Sequence, residues 1–284
     1  MKEYINYSDN KFQKQQKFAL FMAKYFGKFD KIIGYGPNDI DKIFYKKYEN
    51  ILKQARGNGY WLWKPYFIYK SLKQLSNGDY LFYSDSGAFF LKNVNVLINE
   101  LKKYNQDIMG FELPLIEEQW TKKELFINMK CDEDKYYKSN QVLASFMLIR
   151  KTASSMKFIR QYLNYSCSEI NITDKYNKNI KQVNNFIDHR HDQSIFSLLY
   201  KKYNLRVFKD PTQFGKYPAG YAGYPDRLKN KLLPNRIFIL GNNMQFRCHK
   251  YAENYNLVMF HNRKGRPLNS FLRFKIKELL YKYE

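Results

Sequence analysis

The chain has 284 residues, and 49 Lys and Arg against 26 Asp and Glu give it a formal net charge of +23. Its residues are 44% hydrophobic and 18% aromatic, enough for a substantial core, which excludes a globally disordered chain. Three dispersed cysteines, Cys131, Cys167 and Cys248, make neither a disulfide framework nor a paired-cysteine metal site, and point to a reducing cytoplasm.

The N-terminal stretch lacks the apolar core of a signal peptide. Apolar runs such as residues 18–23 are too short to cross a bilayer, so a soluble protein, or one lying on a membrane surface, is expected. No repeat, linker or domain boundary interrupts the pattern. Short apolar runs alternate with helical periodicity, which predicts an α/β fold.

Residues 4–7 read as a first strand, and Ser8, Asp9 and Asn10 as the cap of a helix carrying Phe12, Phe18, Phe21, Met22 and Phe26. A second strand covers 31–35, and helical residues follow over 40–52. Arg56-Gly57-Asn58-Gly59 reads as a loop that uses its glycines for unusual backbone angles. Lys64 precedes Pro65 and is expected to be extended. Pro65 sits in the first turn of a helix that buries Ile68, Leu72 and Leu75 and stops at Asn77-Gly78.

The nearly continuous apolar run over 79–84 marks a central strand covered on both faces. Asp85-Ser86-Gly87 stands where that strand ends, the edge at which open α/β sheets bind ligands. An ordinary Asp-x-Gly turn explains the same three residues. Residues 143–149 repeat the buried-strand pattern, and a helix with Met156, Ile159 and Leu163 follows. Residues 168–187 are polar and read as a mobile surface loop. His189-Arg190-His191-Asp192-Gln193 then precedes a helix with Ile195, Leu198 and Leu199. Late strands over 236–240 and 257–260 follow, the second running into His261-Asn262-Arg263-Lys264-Gly265-Arg266-Pro267.

Many standard chemistries have no motif here. There is no GxxxxGK[ST] phosphate loop, HExxH or GxSxG, and the Gly34-x-Gly36 spacing meets Asp39 where a dinucleotide fingerprint needs a third glycine. His189, His191 and Asp192 lack the spacing of a metallo-β-lactamase cluster, and the two histidines read better as structural or surface residues. What remains is a set at element ends: Asp85, the Asp192-Gln193 pair, and His261 with Lys264. A carboxylate and an imidazole that share a divalent ion, with cations nearby, suit a reaction whose leaving group is a nucleoside diphosphate.

The blocks RGNGYWLWKPYFI, GDYLFYSDSG, WTKKE, NQVLASFMLIRK and HRHDQSIFSLL resemble a pattern recurring in GT-A-fold glycosyltransferases of bacterial capsule and lipopolysaccharide synthesis. More distantly the layout is similar to glycosyltransferase families 8 and 32. The resemblance spans the chain. It implies a Rossmann-like mixed sheet flanked by helices, with residues 1–268 as one catalytic domain and 269–284 as a C-terminal basic amphipathic helix. It implies transfer of a sugar, with retention, from a nucleotide-diphosphate donor (UDP-linked rather than GDP-linked) to a glycan or lipid-linked acceptor, with Mn²⁺ or Mg²⁺ assisting.

In those families an Asp-x-Asp holds the metal and the donor diphosphate. Asp85 matches its first carboxylate, whereas Gly87 stands in place of the second, so His261 is expected to complete the metal site and Lys264 to contact phosphate. Asp192 and Gln193 match a pair near the reacting sugar. Asp192 as a plain helix N-cap is the competing explanation. Arg56 and Lys64 lie where similar enzymes direct a cation at the donor; solvated charges explain them equally. Ser86 and Gly87 would flank the diphosphate, and Tyr7, Ser8 and Asp9 would meet the nucleotide base. Trp61 and Trp63 read as core residues, or as stacking surfaces for a sugar or base.

In the C-terminal helix, Leu272, Ile276, Leu279, Leu280 and Tyr283 share one face, with Arg273, Lys275, Lys277 and Lys282 around it. Such a helix lies on an anionic membrane surface or packs onto the domain. This places the protein in the cytoplasm, with the inner membrane face as a peripheral site. The charge of +23 admits two rival readings, a non-enzymatic nucleic-acid binder and a degenerate transferase acting as an assembly partner. No RNA-recognition or KH signature supports the first, so nucleic acid is not an expected partner. A Lys-rich proteome also explains the charge.

Overall fold

The computed structural model describes residues 1–222, 235–240, 243–253, 255–262 and 267–280. Two parallel pairings organise its first third. Strand β1 (Lys2–Tyr7) lies between β2 (Lys31–Tyr35) and β3 (Tyr80–Ser84), parallel to both. Short β4 (Ala88–Phe90) stands apart from that sheet. Beyond it, β5 (Ile108–Ile116) and β6 (Asn140–Arg150) form a long antiparallel pair, and β6 joins β3 antiparallel. Strands β7 (Ile237–Leu240) and β8 (Met244–Arg247) extend the other edge, giving the order β2-β1-β3-β6-β5-β8-β7. The result is the mixed α/β sheet expected. A two-stranded sheet pairs β4 with β9 (Met259–His261).

Helices cover both faces, which is why β3 reads as continuous apolar sequence. Leu81 and Tyr83 face one layer with α2 (Trp63–Gln74), and helices over Ala153–Ser166 and Asp192–Lys202 complete that layer. Phe82 faces the other layer, beside Leu97, Ile98 and Leu101 of the helix Asn95–Lys103. In order after α1 (Gln13–Met22) and α2, these three helices are α3 (Asn95–Lys103), α4 (Ala153–Ser166) and α5 (Asp192–Lys202). Ile68, Leu72 and Leu75 are buried as their spacing requires. Each large aliphatic side chain buried this way contributes about 1.5–3 kcal/mol.

Four local expectations are corrected. The first helix begins at Gln13 and no side chain caps it. Ser8 Oγ instead donates to Gln16 Oε1 at 2.8 Å, and Asp9 accepts the Lys11 amide. Helix α2 begins at Trp63, so Lys64 is helical, not extended; Pro65 is its third residue, within the first turn, where an N–H has no intrahelical acceptor to lose. The 168–187 segment is not simply a surface loop. Asn171, Ile172 and Thr173 are buried, and the buried Lys122 donates to the Thr173 and Lys175 carbonyls at 2.6 and 2.8 Å.

The fourth concerns α6 (Pro267–Leu280). It docks through Phe271 and Phe274 onto Phe89 and Phe260, while Leu272, Ile276, Leu279 and Leu280 stay exposed; Tyr283 lies outside the described residues. Aromatic rings on the neighbouring face outcompeted the aliphatic stripe for the core. Among the described residues, no helix is long and apolar enough to cross a membrane.

Candidate active site

Because β1 and β3 are parallel, Tyr7 and Ser84 end on the same edge of the sheet, and the chain beyond each forms a cleft. Ser86 Oγ donates to the Tyr7 carbonyl at 2.5 Å and ties the two ends together. Asp85 is held by its amide, which donates to the Ser145 carbonyl of β6 at 2.7 Å. The Asn262 amide donates to the Gly87 carbonyl at 2.7 Å. A Cβ on Gly87 would sit 2.7 Å from the Asn262 carbonyl oxygen, so the position matching a second carboxylate has no room for a side chain. This Gly is demanded by close backbone approach.

The cleft has two halves that meet at Asp85 and Trp61. The larger, about 600 Å³, is lined by Tyr7, Ser8, Asp9, Trp63, Ser86, Gly87 and His261, among others. The smaller, about 260 Å³, is lined by Arg56, Lys64, Arg190, Asp192 and Gln193, among others. Tyr7 and Trp63 stack with centroids 3.8 Å apart, forming one aromatic wall. Trp61 divides the halves from an unusual turn: every residue from Gly57 to Trp61 has positive φ. Gly59 makes it possible, since its φ is 92° and a Cβ there would fall 2.8 Å from the Leu52 Cα. Strained non-glycine conformations such as those of Tyr60 and Trp61 persist where surroundings fix them. Here Tyr60 donates to Asp174 and Trp61 stacks on His191.

Lys64 is the centre of the smaller half. Its side chain is 4% exposed, and Nζ lies 2.7 Å from Asp192 Oδ2 and 3.4 Å from Asp85 Oδ1. Tyr83 donates to Asp85 Oδ1 at 2.5 Å, and Tyr162 to Asp192 Oδ2 at 3.2 Å. Burial works against the lysine's charge, but the Asp192 and Asp85 carboxylates outweigh it and move its pKa up. Burial lifts the Tyr83 and Tyr162 phenols well above their usual range, so both remain donors. Two carboxylates against one ammonium leave a net charge of −1. Asp85 is 30% exposed while Asp192 is 6% exposed, so the surplus faces the cleft at Asp85.

The structure thus brings Asp85, Lys64, Asp192 and Gln193 together. Asp192 starts α5, but its side chain caps no backbone amide there. Arg56 stands apart on the rim, 2.9 Å from Asp174 and 3.1 Å from Asp188, and lines the smaller half rather than the aromatic one. His189 Nε2 and His191 Nδ1 each lie 2.8 Å from a backbone carbonyl, of Asn171 and Ile172. Both are buried anchors, and burial lowers their pKa, that of His191 to about 4. His261 ends β9 opposite Ala88 and shares the larger half with Asp85. Lys264 lies outside the described residues. Sequence reading missed Tyr83, Tyr162 and Gln141; a hydroxyl at the end of an otherwise apolar strand was the available signal for Tyr83.

Among the described residues, no three His, Cys, Asp or Glu side chains converge as a metal cage. Asp85 and His261 offer one carboxylate and one imidazole. That donor set fits a divalent ion of the kind held by one or two carboxylates plus substrate phosphates. It does not make a site closed by protein alone.

No family model matches the chain, and no curated protein matches it. Among solved structures, it is similar to mouse xyloside xylosyltransferase 1 in its apo form, at 11% identity and a TM-score of 0.48, covering 93% of this chain and 98% of that one. It is also similar to the galactosyltransferase LgtC in complex with donor and acceptor sugar analogs, at 12% identity and a TM-score of 0.43, covering 92% and 87%. The glycosyltransferase GlyE of Streptococcus pneumoniae TIGR4 is similar at 14% identity and a TM-score of 0.41, over 92% of this chain and 54% of that one.

Proposed function

We propose that the chain is a glycosyltransferase that moves a sugar from a nucleotide-diphosphate donor, UDP-linked rather than GDP-linked, to a glycan or lipid-linked acceptor in capsule or lipopolysaccharide synthesis. One observation carries this reading. An aromatic-walled half-cleft and an ion-lined half-cleft meet at Asp85, on the edge where β1 and β3 end. A flat base and ribose suit the first half, and a sugar with its hydroxyls suits the second.

In this reading Tyr7, Ser8 and Asp9 meet the nucleoside, and Ser86 and Gly87 flank the diphosphate. Asp85 and His261 would hold Mn²⁺ or Mg²⁺, which, when bound, offsets the charge that develops on the departing diphosphate. Asp85 presents the surplus negative charge toward that position, and Lys64 fixes the Asp85 and Asp192 carboxylates relative to each other. Asp192 accepts a hydrogen bond from a sugar hydroxyl, and Gln193 lies beside it. Lys264 keeps its proposed phosphate contact through the sequence resemblance, which also carries retention at the anomeric carbon.

Thermal shift with UDP, GDP and CMP, each with and without Mn²⁺, tests the reading, because a ligand of the native state raises its stability by RT ln(1 + [L]/Kd). A UDP-selective shift that Mn²⁺ strengthens is expected, and Asp85→Ala is expected to abolish the Mn²⁺ increment and turnover. Unchanged turnover in Asp85→Ala sinks the assignment. A salt-steep oligonucleotide response without any nucleotide response replaces it with nucleic-acid binding.

The exposed stripe Leu268, Leu272, Ile276 and Leu279 of α6, with Arg273, Lys275 and Lys277 on the same helix, supports peripheral contact with an anionic membrane, where a lipid-linked acceptor resides. The protein is expected to sediment with phosphatidylglycerol vesicles at low salt and not with phosphatidylcholine vesicles. Equal partitioning to both removes this part of the proposal.

A further inference from the structure

A run of hydrogen bonds with one fixed polarity leads from a buried carboxylate to the cleft. Glu117, directly after β5, is fully buried. Its Oε1 accepts from Thr121 Oγ1 at 2.5 Å and from Gln141 Nε2 at 2.9 Å, and its Oε2 accepts from Ser197 Oγ and Lys201 Nζ. Ser197 Oγ accepts the Val142 amide at 2.9 Å and donates its own proton to Glu117.

A carboxyl group with four donors aimed at its two oxygens accepts at both of them. Gln141 on β6, also fully buried, must therefore turn its Nε2 toward Glu117. That leaves Gln141 Oε1 on the opposite side, where it takes Gln193 Nε2 at 2.8 Å. The Gln193 amide is in turn fixed with its nitrogen inward. Its Oε1 is the end left for the half-cleft that Gln193 lines, one residue beyond Asp192. The two ends of an amide have nearly the same shape, so packing alone would not choose between them. The two accepting oxygens of Glu117 do.

We propose that Glu117 and Gln141 are positioning residues that lock the Gln193 amide with its carbonyl toward the cleft, so that this half of the site selects a ligand presenting a hydroxyl at that point. The identity of the ligand as a donor sugar rests on the function proposed above; the amide orientation does not. A flipped Gln193 would set its Oε1 against the Gln141 Oε1, two acceptors with no proton between them.

The test reads the amides directly, in full-length protein labelled with ¹⁵N at glutamine side chains. Of the two Gln193 Nε2 protons, assigned with Gln193→Met, the one donated to Gln141 is expected to be protected from solvent exchange. Gln141→Met keeps the buried volume and removes the acceptor, and that proton should then exchange with solvent about tenfold faster, the factor that follows from losing one net hydrogen bond. Gln141→Glu, carrying its own proton, can donate to Glu117 and still present its carbonyl to Gln193, and is expected to restore protection.

Wild-type exchange in Gln141→Met overturns the proposal, as does failure of Gln141→Glu to restore protection. Should Gln141→Met not fold, the wild-type spectrum decides, because a freely rotating Gln193 amide excludes the lock. Calorimetry with UDP runs in parallel. Absence of UDP binding in the wild type defeats the donor reading and leaves the amide result standing, whereas protected amides that ignore Gln141 defeat the lock and leave the donor reading standing.

Discussion

The protein builds the same charge motif twice, once in the floor of the cleft and once on its rim. In the floor, Lys64 bridges Asp85 and Asp192; on the rim, Arg56 bridges Asp174 and Asp188. The distances are similar, but the surroundings are not. The Lys64 side chain is 4% exposed, whereas that of Arg56 is 43% exposed. In the floor, Lys64 and Asp192 have lost water and depend on their partners, while Asp85 keeps one side toward the cleft; on the rim, water and salt stand in for any partner that leaves. Identical chemistry therefore supports different roles. The floor is a fixed element of the site, and the rim is a replaceable clasp over the 168–188 segment.

The largest effect expected from breaking this comparison comes from Lys64→Met. It leaves Asp85 and Asp192 facing each other without a cation. Removing one partner of a buried ionic set costs about 3–5 kcal/mol, measurable as a lower urea midpoint. A loss below about 1 kcal/mol, the range of exposed pairs, would erase the distinction between floor and rim.

An intermediate effect comes from His191, whose Nε2 lies 3.9 Å from Asp174 beneath the rim clasp. Burial lowers its pKa from 6.5 to about 4. Between those values the unfolded chain binds the extra proton and the folded one does not, so stability is lost as pH falls from 6.5 toward 4. For a shift of this size the loss is at most about 3 kcal/mol. Melting temperatures of wild type and His191→Gln should therefore diverge at pH 7 and draw together toward pH 4; a constant separation across that window contradicts the assignment.

The smallest effect is expected from Arg56→Gln, about 0–1 kcal/mol as for other exposed ion pairs. That difference should fade further in about 0.5 M salt, where the Debye length shrinks to about 4 Å. A salt-independent loss would show that the rim is as dry as the floor.

Much of the frame was legible in the sequence, because burial writes itself into periodicity. The continuous run from Tyr80 to Ser84 is central as expected, and Asp85 follows it. What could not be read was partnership between distant residues. Lys64 meets Asp192 across 128 positions, and Glu117, Gln141 and Gln193 join from three elements with no shared spacing. Local rules also misled where tertiary packing overrode them. The residue before a proline tends to be extended, yet Lys64 is helical because the buried Asp192 fixes its ammonium in the floor. The aliphatic stripe of α6 looked like the packing face, but Phe271 and Phe274 reach the aromatic cluster at Phe89 and Phe260 first.

The small sheet that pairs Ala88 with His261 and Gly87 with Asn262 has a consequence in time as well as space. Of the described residues that line the cleft, His261 and Asn262 are synthesised last. Chain growth at about 5–20 residues per second sets the wait. The parallel core around β1 and β3 has roughly ten seconds or more to form before the strand that walls in Asp85 exists. Until that strand is made, Asp85 has no wall on that side, whatever else has folded. The last wall to be made therefore sets the earliest moment at which the polypeptide can complete this cleft.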